Sequence, residues 1–80
     1  MSDDTFAWVA AQLAGVLGLP VEDILRASRF ADDLDADSID LIEVVNKAEA
    51  AFGIEVPEDQ LYDIDTVGEF VTLIDDRRSA

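Results

Sequence analysis

One hydroxyl stands among carboxylates in the stretch Asp35-Ala36-Asp37-Ser38-Ile39-Asp40-Leu41, and what it can do depends on where a helix begins. Asp37 can accept backbone N–H bonds as an N-cap, and Asp40, three residues on, places a carboxylate in the first turn. The helix therefore starts at Ser38. Its hydroxyl points outward beside N–H groups that have no acceptor within the helix. Those groups and the positive end of the helix dipole together favour a phosphate group at this point.

Ser38 has no partner in the chain that could make it an enzyme's nucleophile. A reacting serine needs a base to take its proton and donors to hold an oxyanion. Histidine and cysteine are both absent, and Lys47 lies about two and a half turns further along the same helix, out of reach. Carboxylates abound, but general acid–base work needs a cleft that shifts their pKa values, and a solvated acidic surface offers none. The chain is expected not to be an enzyme, so Ser38 must be acted on by another protein. The acid run also invites a calcium reading, since Asp33, Asp35 and Asp37 match the first ligand positions of an EF-hand loop. That match stops at the sixth position, where the required glycine is Ser38, and at the twelfth, where the bidentate glutamate is Val44. No metal ligand set is assigned.

The elements that position Ser38 follow from apolar spacing. Phe6, Val9, Ala10, Leu13, Val16 and Leu17 form one helical stripe, which predicts a first helix over Asp3–Leu17, capped by Thr5 or Asp4 and closed by Gly18 and Pro20. Trp8 points away from this stripe, as a partly exposed aromatic or a contact for another group. Val21, Ile24, Leu25, Phe30 and Leu34 are too irregular for one long helix. They read as anchors that pin a connection across the core, with one helical turn near Pro20–Leu25. The second helix runs over Ser38–Phe52 and stops at Gly53, with Leu41, Val44, Val45, Ala48, Ala51 and Phe52 facing the core. Pro57 opens a short third helix through Tyr62, from which Leu61 and then Ile64 face inward. Thr66-Val67-Gly68-Glu69 is a capping box ahead of Val67, Phe70, Val71 and Ile74, a last helix expected to fray after Asp76 with Arg77 and Arg78 near its negative end. No alternation argues for a strand. The fold class is all-α, a four-helix bundle with three longer helices and one short third helix, in a single domain over residues 1–80.

Ile39 and Ile42 fall outside the core sector of the second helix, among Asp40, Glu43, Asn46 and Glu49. Two apolar side chains on an acidic face beside Ser38 have the make-up of a docking patch, which also takes in Asp37. Charge says what docks there. Nineteen acids against five bases give a formal net charge of −14, a field that repels nucleic acid and anionic lipid and speeds encounter with basic protein surfaces. No apolar run is long enough to span a bilayer, and the N-terminus lacks a secretory pattern, so a cytoplasmic monomer is expected. An acidic adaptor without a prosthetic group, or a weak calcium binder, would share this charge.

The run Phe30-Ala31-Asp32-Asp33-Leu34-Asp35-Ala36-Asp37-Ser38-Ile39-Asp40, then Glu43-Val44-Val45, then Phe52-Gly53-Ile54-Glu55-Val56-Pro57, closely resembles the acyl carrier protein family. The resemblance reaches from the first helix to the start of the last. It implies that Ser38 carries a 4′-phosphopantetheine arm, installed from coenzyme A by a phosphopantetheinyl transferase with magnesium. The arm's thiol would hold acyl groups as thioesters and present them to acyl-transferring and condensing enzymes of fatty-acid or polyketide type, with basic docking surfaces. It also implies that Ala48 and Ala51 leave room between the helices for an acyl chain, where ordinary close packing is the alternative. Three positions depart from the family pattern. Asp35 stands where many members have glycine, Ile39 where leucine is usual, and Asn46 where primary fatty-acid carriers have an apolar residue. A specialised pathway fits these departures as well as the general one.

Overall fold

The computed structural model describes residues 2–79, with side chains described for residues 3–78. Three α-helices carry the architecture: α1 (Ser2–Leu17), α2 (Ser38–Phe52) and α3 (Val67–Ser79). A six-residue 3₁₀ helix, Glu58–Asp63, links α2 to α3, and a single 3₁₀ turn, Val21–Asp23, interrupts the long connection from α1 to α2. This is the expected all-α bundle, three long helices and a short third one. The extended pairing found among the described residues is an isolated antiparallel bridge between Arg29 and Thr66.

Each helix buries the middle of the stripe that its apolar spacing predicts, while Phe6, Val16, Leu17 and Phe52 at the ends of the stripes are half-buried. Val9, Ala10 and Leu13 of α1 meet Leu41, Val44, Val45 and Ala48 of α2 and Val67, Phe70, Val71 and Ile74 of α3, all buried. Phe30 adds its ring edge-on to Phe70, with centroids 5.6 Å apart, a favoured aromatic geometry. The α1–α2 connection is stitched across the start of α3: Gly68 N–H donates to the Arg26 carbonyl, Val67 N–H to that of Ser28, and Phe30 N–H to that of Asp65, each at 2.9 Å. Backbone groups that would otherwise be orphaned in a long loop are thereby satisfied. Gly53 ends α2 in the left-handed conformation, φ 65°, with its N–H on the Glu49 carbonyl, a conformation that costs glycine nothing.

Several expectations need correction. Val21 and Leu25 are exposed, whereas Ile24 between them is buried. The 3₁₀ turn can send only one of the three inward, so the anchors are Ile24, Phe30 and Leu34. On α2, Ala51 is exposed and Ile42 is half-buried against the core, the reverse of what the projection gave. The chain after Gly53 folds back along the Ile42 side, where Glu49 Oε2 accepts the Val56 N–H at 3.0 Å, and this covers one flank of the helix and leaves the other open. Helix α1 already includes Asp4 and Thr5, so neither is its cap, and Thr5 has another role. It is fully buried and donates to Asp75 Oδ1 at 2.7 Å while accepting from Arg78 Nη1 at 2.9 Å.

Helix α3 does not fray at Asp76 but continues to Ser79. Its last turn is held from outside: Arg77 Nη2 donates to Gln60 Oε1 at 3.2 Å, and the Arg78 guanidinium, besides bonding Thr5, lies 4.2 Å over the Phe52 ring. Stacking a guanidinium on an aromatic face is favourable in its own right. Phe52 in turn meets Trp8 at a centroid distance of 4.8 Å. Trp8 is thus a half-buried packing residue that closes the end of the bundle remote from Ser38.

Candidate functional site

Ser38 is the first residue of α2, and the local sequence holds it there by a reciprocal cap. Asp37 adopts an extended conformation, φ −110° and ψ −179°, and its Oδ1 accepts from the Asp40 N–H at 3.0 Å. Asp40 Oδ2 accepts from the Asp37 N–H at 3.2 Å. Both carboxylates are therefore turned back onto the backbone, and Ser38 between them is exposed. The N–H groups of Ser38 and Ile39 are the first two of the helix and have no acceptor within it. The loop before the cap is also fixed: Ala36 is buried and its N–H donates to the Phe30 carbonyl at 2.7 Å.

Asp35, at the entry to this cap, has a left-handed backbone with φ 53°. Asparagine, aspartate and above all glycine tolerate that region. The physical demand that a glycine would meet at this position is thus still present, and aspartate meets it at some cost.

The structure gathers most of the residues expected to form a docking patch into one stripe. Ile39, Ile42, Glu43 and Asn46 follow at helical spacing from the mouth of α2, and Ile39 is 72% exposed. Glu43, Asn46 and Asp37 are exposed, while Asp40 and Ile42 are half-buried. Glu49 stands apart: it is half-buried and its carboxylate holds the Val56 N–H, so it shapes the α2 to 3₁₀ connection as well as carrying charge. Spacing did not single out Tyr62, yet its ring is 76% exposed. The signal was an aromatic among Asp59, Asp63 and Asp65.

No cavity opens between the helices among the described residues. Ala48 is fully buried in the close-packed core and Ala51 lies on the surface. Any acyl chain that enters must part helices that are in contact.

The family model of the phosphopantetheine attachment site matches residues 7–74. An acyl carrier protein of Acidothermus cellulolyticus is 42% identical over 59 residues, 74% of this chain and 70% of that protein. The chain belongs to the acyl carrier protein family. A second relative, the acyl carrier protein of Thermobifida fusca, is 37% identical over 71 residues, covering 89% of this carrier and 86% of its own length. The solution structure of the 3,7-dioxo-octyl actinorhodin acyl carrier protein from Streptomyces coelicolor superposes with a TM-score of 0.74 at 24% identity, over 99% of this carrier and 91% of that chain. That likeness is one of fold.

Membership makes this chain a phosphopantetheine-bearing carrier that works with enzymes of acyl-transfer pathways. The residues present fit the prosthetic group, for an exposed hydroxyl at a helix mouth with unpaired N–H groups can accept a phosphoryl group without moving the backbone. The dipole favours that charge by roughly 0.3–1 kcal/mol, partly offset by Asp37 and Asp40. When bound, the group supplies the thiol that a chain without cysteine lacks. Among the described residues no helix is long and apolar enough to cross a membrane.

Proposed function

We propose that Ser38 is the attachment residue for 4′-phosphopantetheine and that the chain, with no catalysis of its own, presents acyl thioesters to fatty-acid or polyketide-type enzymes. The observation that carries this reading is the exposed Ser38 hydroxyl at the first position of α2, held by the Asp37–Asp40 box. A cytoplasmic transferase drawing on coenzyme A and magnesium installs the arm, and the chain contributes the hydroxyl oxygen and a rigid helix mouth. Partners with basic surfaces approach along Asp37, Asp40, Glu43 and Glu49, while Ile39 and Ile42 supply the apolar contact and Asn46 a polar one. The carrier acts as a monomer, a single domain over residues 1–80.

Intact mass after incubation with coenzyme A, magnesium and a broad-specificity transferase tests the attachment. The wild type gains one phosphopantetheinyl group and Ser38→Ala gains none. A wild type that gains nothing with several transferases, or a Ser38→Ala variant that is still modified, refutes it.

A further inference from the structure

The two most exposed large apolar side chains of the described residues are Ile39, at 72%, and Tyr62, at 76%. Single exposed apolar residues are ordinary on a protein surface, so their placement is what matters, and the chain path sets it. Val56 is tied to Glu49, toward the end of α2. Nine residues later Asp65 is tied to Phe30, whose own carbonyl takes the N–H of Ala36, two residues before Ser38. The segment between them, packed on α2, must run back along that helix toward its start. Lengths agree. From Glu49 back to Ser38 is about 16 Å of α-helix, and the six residues Glu58–Asp63 span about 12 Å as a 3₁₀ helix. Tyr62, at the far end of that run, comes out on the Ser38 side of the bundle, while Leu61 before it is buried and fixes the turn from beneath.

We propose that the Tyr62 ring is a resting surface for the neutral pantetheine portion of the arm, with Ile39 at the arm's exit. This rests on the reading of Ser38 as the attachment residue. Asp59 and Asp63, which flank Tyr62 in the sequence, are exposed acids that repel the phosphate, so the anion stays at the α2 mouth, whereas Asp65 is paired with Arg29 Nε at 3.5 Å. The remainder of the arm is uncharged, two amides and a pair of geminal methyls. An aromatic face covers methyl groups, and the phenol hydroxyl can bond an amide. Tyr62 is therefore a positioning residue that lowers the freedom of the arm when no partner holds it, and a partner must lift the arm from the ring to receive it.

Tyr62 is the only tyrosine of the chain, so its ring signals in an NMR spectrum are unambiguous. Isotope-labelled protein is loaded from unlabelled coenzyme A, with intact mass confirming the transfer, and filtered NOE spectra are recorded on the apo and holo forms. The Tyr62 ring protons are expected to shift on loading and to show NOEs to the geminal methyls. Tyr62→Phe keeps those NOEs, and Tyr62→Ala moves the methyl signals to their positions in free pantetheine with the helical signal unchanged. Mass gain without any arm-to-ring NOE, or methyl signals identical in wild type and Tyr62→Ala, overturns this inference alone. Absence of mass gain overturns the Ser38 reading and this one with it.

Discussion

Truncation at Val44 and at Ile42 separates folding from docking on a single helix. Val44 is fully buried, and Val44→Ala removes two carbon groups at about 0.8 kcal/mol each, to which an incompletely collapsed cavity adds, for roughly 1.5–3 kcal/mol. Ile42→Ala removes three carbon groups, but Ile42 is only half-buried, so about half of a full burial is lost, on the order of 1 kcal/mol. In a domain of this size that difference separates the melting midpoints by roughly 3–10 °C. Modification by a transferase should follow the opposite order. Ile42→Ala and Glu43→Lys slow the transfer of phosphopantetheine, because apolar contact and attraction to a basic surface are lost, while folded Val44→Ala is modified nearly as fast as wild type. Denaturant melts paired with transferase kinetics on the three variants decide it. If Ile42→Ala costs as much stability as Val44→Ala and leaves modification of the folded protein unchanged, Ile42 is core and the docking face has been misplaced.

Asp35, at φ 53°, should be at least as stable when replaced by glycine, and Asp35→Val should lose roughly 1–2 kcal/mol because a β-branched side chain resists left-handed dihedrals. Equal urea midpoints for the two variants would contradict this. Glu69 has its pKa lowered by the N–H groups of Asp65 and Thr66, which donate to its carboxylate at 2.7 and 3.0 Å. A depressed carboxylate contributes stability above its unfolded pKa of about 4.3 and loses it as pH falls through the folded value. The stability gap between wild type and Glu69→Gln should therefore be open at neutral pH and close in acid, and a gap that widens below pH 4 would refute the assignment. With a formal net charge of −14, self-repulsion should be relieved by ions, so the thermal midpoint rises with sodium chloride and further with magnesium. An unchanged midpoint would show that repulsion does not limit stability.

Local chemistry was legible in the residues. The start of α2 at Ser38 and its stop at Gly53 are set by side chains within three residues of each end, Asp37 and Asp40 at one and a glycine free to turn left-handed at the other. The same holds for the Thr66–Glu69 cap, where the Thr66 Oγ1 accepts from the Glu69 N–H and the Glu69 carboxylate from the Thr66 N–H. Such contacts need no distant partner, and Ser38, the residue proposed for attachment, lies at one of them. Distant partners decided the rest. Periodicity says that α2 has a covered face but not which flank the returning chain will shelter, so Ile42 and Ala51 exchanged places when residues 54–56 settled beside Glu49. Arg78 prolongs α3 only because Thr5 and Phe52, far away in sequence, meet it. The 3₁₀ helix lies along α2 because Val56 is tied to Glu49 and Asp65 to Phe30, and neither pairing is written in its own residues. Short-range hydrogen bonds are written in neighbouring residues, whereas the side on which two elements meet is a property of the assembled bundle.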